Sequence, residues 1–487
     1  MDASKIKLWI ARSSIMSVAP AVDFGSRLAR TVILSRLLAQ DEFGVAVAIT
    51  VMLGIASLVT DVAIDKFALI EADESGNEAL AAAHMLSLIR GSVLAVVLVV
   101  SAPVTAALFG VPQFGSSFAL AALVPLISSF SHLGIKQVQR HYDFAPETWS
   151  MLISNVTAIC ALLIGVSIFG DHRAIVISFL TESISYVIAS HLLARSRYHL
   201  KASRELIGKA LAFGIPLMLN GIALACMQQF DRALVGHWFG VDMLAKYSVL
   251  LSIAVMPISL ILRVFGTMSL SFILSNISKK GFLTSDQYGT LVFLFAVLAV
   301  LYSLLVALTL DWATPLIFGR SFDVSLSIHL LLTAIVFLRL QRGGAPTNLL
   351  LAFGRTRELA LLNLSAGTGL ALAVAFLWWS PRFEALLLGL AAGDLLSFLL
   401  LFFVSSAIVS RSKSQLIKDL STAFGVLAVI LGMLAYDPAI TLVARMTLLG
   451  LGAVGVAVQF AVGLWNHQTL RHHAASTSEK SIGVSGS

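Results

Sequence analysis

The residues with the most chemistry to offer are charged side chains embedded in long apolar runs. Asp23, Arg27 and Arg30 follow one another at spacings of four and three, so a helix presents them on one face. Arg263 stands about sixteen residues from either flanking polar connection, too deep for its stem to snorkel to water, and Pro257 loosens the same run six residues earlier. Arg339 and Arg342 share a face of a later run, and the adjacent pair Asp231 and Arg232 closes another. Guanidinium groups engage phosphate oxygens bidentately, so this set is suited to holding a polyanion. An ionisable side chain in hydrocarbon costs about 2.5–3.5 kcal/mol on insertion scales, so each requires a partner or a water-filled cavity.

The carboxylates are more ambiguous. Glu182 and Asp394 lie near the middle of their runs, where each could pair with an arginine, bridge two helices or carry a coupling proton. Asp61 shares a face with Asp65 at the end of a run, where interfacial exposure and ion coupling explain it equally well. Asp23 is also suited to neutralising Arg27, which would make that pair structural. Arg90 and Arg445 are shallow enough to snorkel. The two cysteines, Cys160 and Cys226, have no second Cys or His at ligand spacing, so neither a disulfide, a metal site nor another cofactor is expected, and both should be buried small residues.

These residues are positioned by membrane-spanning helices. Of the 487 residues, 58% are hydrophobic and 12% charged, against about 25% charged in an ordinary soluble domain. Apolar segments fall at about 10–36, 43–66, 80–109, 116–138, 146–169 and 174–194, then at 207–235, 244–275, 288–310, 324–348, 357–379, 384–408, 416–435 and 438–465. Each is long enough to cross a hydrocarbon core of about 30 Å, so the expectation is an all-α membrane protein of about 14 transmembrane helices. Basic residues concentrate in alternate connections: Lys66; Lys136 and Arg140; Arg195 to Lys209; Lys279 and Lys280; Arg355 and Arg357; Arg411 to Lys418. That bias puts both termini in the cytoplasm of a bacterial inner membrane. The surplus of +7 is therefore a topology signal, with no basic–aromatic patch for nucleic acid. The N-terminus reads as an uncleaved first helix and residues 467–487 as a disordered cytoplasmic tail.

The most basic connection, 195–209, divides the first six segments from the rest, and an offset of 201 residues aligns Arg30 with Asp231, Asp41 with Asp242 and Gly44 with Ala245. Two such units imply two facing bundles, the plan of an alternating-access transporter. The expected division is a six-helix lobe at 1–200, a second at 201–410, and two additional helices at 411–466.

The string ARTVILSRLLAQDEFGVAVAITVMLGIASLVTDVAIDKFALIE, beginning at Ala29, resembles the opening of Wzx-like polysaccharide flippases of the multidrug/oligosaccharidyl-lipid/polysaccharide (MOP) superfamily. FGIPLMLNGIALACMQQFDRALVGHWFGVDMLAKYSV, beginning at Phe213, is similar to that family's seventh-span motif, including Asp231, Arg232 and Tyr247. The resemblance implies two six-helix lobes in a V plus two C-terminal helices. It also implies a central cationic cavity for an undecaprenyl-diphosphate-linked oligosaccharide, with membrane lipids, a polysaccharide polymerase and chain-length or export machinery as partners.

Three rivals are weaker. An enzyme acting on lipid-linked sugars needs room outside the membrane, yet the outward connections are short and show no His–carboxylate constellation. An ATP-driven pump needs a phosphate-cradling Gly-x-x-x-x-Gly-Lys-Ser/Thr loop, which this chain lacks. A multidrug cation antiporter of the same fold should have an acidic, aromatic cavity, and the arginines here repel cations.

Overall fold

The computed structural model describes residues 21–420, apart from 71–76, 142, 202–203, 281, 320–324 and 418. The expected segments at 416–435 and 438–465, the tail and the start of the first segment lie largely or wholly outside the described residues. Among the described residues the chain is helical and carries no strand. Helix α1 covers 21–37, followed by α2 (Gln40–Val59), α3 (Ile64–Ile70), α4 (Asn77–Leu108), α5 (Gly115–Ala121), α6 (Leu123–Ser128), α7 (Gly134–Gln137), α8 (Ala145–Phe169) and α9 (Arg173–Leu193). Then come α10 (Arg204–Gln228), α11 (Phe230–Ala254), α12 (Met256–Lys280), α13 (Ser285–Phe318), α14 (Leu326–Gly343), α15 (Ala345–Ala352), α16 (Thr356–Leu364), α17 (Thr368–Trp379) and α18 (Phe383–Ile408).

Nine helical runs among the described residues are long and apolar enough to cross a membrane. One of them, Phe230–Ser278, has 49 residues and is two segments. Gly240, at φ 79 and ψ 176, takes a backbone conformation that only glycine adopts readily. The Tyr247 hydroxyl donates to the Asp231 carboxylate at 2.8 Å across sixteen residues, a span of about 24 Å along a straight helix. The chain therefore folds back at Gly240, separating the segments expected at 207–235 and 244–275.

Two other expected runs are interrupted. The run at 43–66 stops at Val59; Asp61 Oδ1 accepts from the Ala63 backbone at 2.9 Å, Ala63 sits at φ 48, and α3 starts afresh. The run at 116–138 is the short pair α5 and α6 followed by a turn into α7.

The helices pack as two compact units. Among the described residues, the first draws on 21–257, 311–319 and 357–397. Within it α8 and α9 form a hairpin that closes where a side chain on Gly165 would touch Ala174. Helix α2 lies against α11, where Gly44 admits the backbone of Val241. The outward-facing apolar rows, such as Val93, Val96, Val100 and Val104 on α4, are exposed, as a lipid-facing surface requires. Cys160 belongs to such a face on α8 with Val156, Leu163 and Ile164. The expectation that both cysteines are buried thus fails: Cys160 is exposed and Cys226 half-buried, because helix periodicity turns residue 160 away from the α9 partner. Among the described residues, the second unit draws on 258–310, 325–356 and 398–420. There the Asn348 amide donates to the Ser269 hydroxyl at 2.6 Å, and Gly343 and Gly344 fit against Leu262 and Phe295.

Candidate functional site

The polar face expected on the first segment divides. Three residues advance a helix by less than a full turn, so Arg30 points away from Arg27 by a sixth of a turn. Arg27 is largely exposed and pairs with Asp23 at 3.0 Å. Arg30 is buried, with a side chain 7% exposed, and its guanidinium enters the α8–α9 hairpin. Nη1 meets the Glu182 carboxylate of α9 at 2.5 Å, and Nη2 donates to Ser26 Oγ and Asn155 Oδ1, both at 3.2 Å. The Phe179 ring lies 5.3 Å from the guanidinium carbon, a cation–π distance. Nε is buried with no hydrogen-bond partner among the described residues. Glu182 keeps a quarter of its side chain exposed, with 27% accessibility. The arrangement is a charge held by one partly exposed carboxylate and two neutral acceptors, with a donor to spare.

Helix periodicity alone accounts for Ser26, four residues before Arg30. Asn155 and Phe179 have no local signal, since their role exists only once α1, α8 and α9 pack together. The same hairpin is laced by small hydroxyls: Thr157 to Ser185 at 2.8 Å and Ser178 to the Ala158 carbonyl at 2.8 Å, the pattern of interhelical contacts in apolar surroundings.

The other expected residues occupy distinct settings. Asp231 is 3% exposed, accepting from Tyr247 and from the Arg232 backbone at 2.8 Å, and Arg232 Nε is buried without a hydrogen-bond partner among the described residues. Asp394 is buried in α18. Asp61 is exposed and closes the turn after α2. In the second unit, Arg263 is exposed on α12 among Val264, Phe265 and Met268, which are themselves exposed. Arg339 and Arg342 are half-buried in the last turns of α14. Arg90 donates to the Ser57 carbonyl at 3.3 Å.

Fastenings at both ends of the first unit escaped the sequence reading. Where α9 begins, His172 Nδ1 meets Glu42 Oε2 at 2.5 Å, its backbone donates to the same oxygen at 3.0 Å, and Nε2 lies 2.8 Å from Ser117 Oγ. This is a His–carboxylate pair from residues 130 positions apart, a juxtaposition that no linear spacing reveals. Ser117 is 9% exposed, which makes its hydroxyl a fastening between turns, not an open nucleophile. Arg36 makes a second fastening, from the end of α1. It donates through Nε to the Ile317 carbonyl at 2.8 Å and through Nη2 to that of Leu316, while Ser35 donates to Phe318 at 3.3 Å. Those last carbonyls of α13 lack helical partners and carry the negative end of its dipole.

Toward the other end of the unit, Lys136 lies 3.0 Å from Asp65 and 3.6 Å from Glu147. Burial pushes the Asp65 carboxyl up, but the Lys136 ammonium more than reverses this and holds it below the ordinary carboxylate range. Burial likewise opposes the Lys136 charge, and Tyr186 with the two carboxylates overcomes it and raises the ammonium. Among the described residues no cluster of His, Cys, Asp and Glu is arranged to hold a metal ion.

A bundle of long apolar helices that carries arginines within its crossing segments defines the class: a multi-pass membrane protein. Its fold matches that of the lipid II flippase MurJ in an inward closed conformation, with TM-score 0.68, 13% identity, and coverage of 92% of this chain and 99% of that one. It also matches an inward-facing multidrug resistance MATE transporter of the MOP superfamily, with TM-score 0.58, 14% identity, and coverage of 79% and 94%. A family described as polysaccharide biosynthesis protein matches residues 33–327, more than half of the chain, and the chain belongs to that family. Among curated protein sequences, none matches. At 13% and 14% identity, these likenesses show a fold that this chain shares with them.

Proposed function

We propose that the protein is a flippase that moves an undecaprenyl-diphosphate-linked oligosaccharide across the bacterial inner membrane by alternating access, supplying surface or exopolysaccharide synthesis. The observation that carries this reading is the placement of arginines in apolar crossing segments, above all Arg263 on an exposed apolar face of α12. A guanidinium is tolerated there only with an anion or water beside it. Membership of a polysaccharide biosynthesis family agrees with a sugar-bearing cargo.

In this reading lobes 1–200 and 201–410 open alternately to the two faces, with both termini in the cytoplasm beside the basic connections. Arg27 and Arg232 in the first unit, and Arg263, Arg339 and Arg342 in the second, each offer a guanidinium to the diphosphate. Arg30 is a reserve cation: an arriving diphosphate competes with Glu182 for it, and the displaced carboxylate becomes the best candidate to take a coupling proton. Asp23 is released from Arg27 in the same way, Asp61 and Asp394 are secondary candidates for coupling, and Asp231 stays with Arg232 in the substrate-binding set. The cargo shifts the conformational balance only if it binds the two states unequally.

Thermal stabilisation of the purified protein by undecaprenyl-diphosphate sugar, compared with ethidium, tests the proposal. Stabilisation by the anionic lipid alone, lost in Arg263→Ala and weakened in Arg27→Ala, is the expected result. Stabilisation by ethidium alone would overturn it in favour of a multidrug cation antiporter.

A further inference from the structure

A second cluster of chemistry-bearing side chains lies apart from the arginines, at the end of the first unit where α4 begins and α9 ends. His84 of α4 is 0% exposed and His132, in the turn between α6 and α7, is 2% exposed. Their ring centroids are 4.9 Å apart. His191 of α9 stands 5.2 Å from His132, and the Tyr198 ring closes over His84 at 4.3 Å and His191 at 4.9 Å.

Both nitrogens of each buried ring are committed to backbone. His84 Nε2 accepts from the Leu133 N–H at 3.0 Å, which makes Nδ1 the donor to the His199 carbonyl at 3.2 Å. His132 Nδ1 accepts from the Gly134 N–H at 3.0 Å, which makes Nε2 the donor to the Ser196 carbonyl at 3.0 Å. An imidazole that accepts at one nitrogen and donates at the other is neutral by necessity. No lone pair remains for a metal. The two carbonyls served belong to the connection that leads from α9 to α10. His191 adds a bond to the Phe130 carbonyl at 3.0 Å, and Ser190 Oγ accepts from the His132 backbone at 2.9 Å.

We propose that His84 and His132 form a proton-released strap, which in its neutral state fastens the 194–201 connection across the end of the helix bundle and on protonation lets it go. A proton on either ring removes an acceptor, stranding a buried backbone N–H, and sets a cation against the neighbouring imidazole. The titratable groups facing the pair are His191 from α9 and Tyr198 and His199 from the connection itself. Further along, Lys201 pairs with Glu78, and Arg195 with Asp143 at 2.9 Å. Among the described residues no carboxylate contacts either ring, so nothing there compensates an imidazolium. The fastening where α9 begins is built the opposite way: His172 donates to Glu42, a bond that an imidazolium strengthens.

Hydrogen exchange of the full chain in nanodiscs at pH 7.5 and 5.5, corrected for intrinsic rates, tests the proposal. Opening returns each ring to an ordinary imidazole titrating near about 6.5. Each released histidine therefore raises the open population about tenfold over that interval, about a hundredfold for two. Protection of 194–201 should fall by that factor in the wild type, by about tenfold in His132→Gln or His84→Gln, and should not respond to pH in the double variant. Gln both accepts and donates but does not titrate. Protection around 170–173 should hold at both pH values. Unchanged wild-type protection of 194–201, a response that persists in the double variant, or equal loosening at 170–173 would each overturn the strap. The wild-type comparison decides the matter even if the double variant does not fold.

Discussion

Arg30 and Arg263 carry the same group into very different surroundings. Arg30 is enclosed by α8 and α9 and neutralised by Glu182, while Arg263 is exposed on an apolar helix face. Glu182→Gln keeps the shape and an acceptor but removes the countercharge. The folded protein should lose about 2–3 kcal/mol, less than the full deletion of a buried ion-pair partner because Glu182 is partly exposed. Its affinity for a diphosphate lipid should rise, because Arg30 no longer has a competing carboxylate. Thermal denaturation and lipid titration on the same preparation check both halves; a variant that loses stability without binding more tightly would leave Arg30 purely structural. The charges themselves were legible in the sequence, because an arginine in an apolar run stands out by type. Their partners were not. Glu182 is 152 positions from Arg30, and nothing in a linear pattern distinguishes a carboxylate that meets an arginine from one that bridges helices.

At the level of elements, apolar periodicity located the long helices well but not their interruptions. α8 at Ala145–Phe169 and α18 at Phe383–Ile408 each begin within a residue of the expected start. The turn at Ala63 carries no such mark, since alanine is a helix former in a left-handed conformation held by Asp61 and its neighbours. Gly240 offers a clean test of backbone conformation against packing. A side chain there would meet open space, yet its φ and ψ lie where only glycine is at ease, so Gly240→Ala should cost about 1–3 kcal/mol. Gly25→Ala also meets open space but sits inside α1, and should stabilise by about 0.5–1 kcal/mol. Equal shifts in denaturation for the two variants would contradict the fold-back at Gly240. The α17–α18 pair shows the reverse case. A side chain on Gly393 would collide with Gly369, and one on Gly389 with the Ala373 backbone, the close approach that small residues four apart permit in membranes. Gly393→Val should therefore separate α17 from α18, read as increased hydrogen exchange of Thr368–Trp379 with little change in α8.

For the molecule as a whole, the groups outside the crossing segments set how stability responds to pH. Burial, and next the neighbouring His191, hold the His132 imidazole below its ordinary value. The folded chain thus binds fewer protons there than the unfolded chain, so this contribution is complete above about pH 6.5 and is lost as the pH falls below it. Asp65 is also lowered, with the Lys136 ammonium outweighing burial; its contribution is present above about pH 3.9 and fails only in stronger acid. Lys136 is raised, burial being outweighed by Tyr186 and the two carboxylates. Its contribution holds up to about pH 10.4 and is lost as the pH climbs through the folded value. The expected profile is a plateau from about pH 7 to 10, a first decline below about 6.5 and a second near 4. Thermal denaturation across pH 4 to 10 measures it directly. His132→Gln should diminish the first decline and spare the second, because Gln cannot titrate and Asp65 with Lys136 is untouched. A wild-type profile that stays flat down to pH 5 would mean that the buried imidazoles do not bear on the fold, and that the fastening at the α9 end rests on Lys136 and its carboxylates instead.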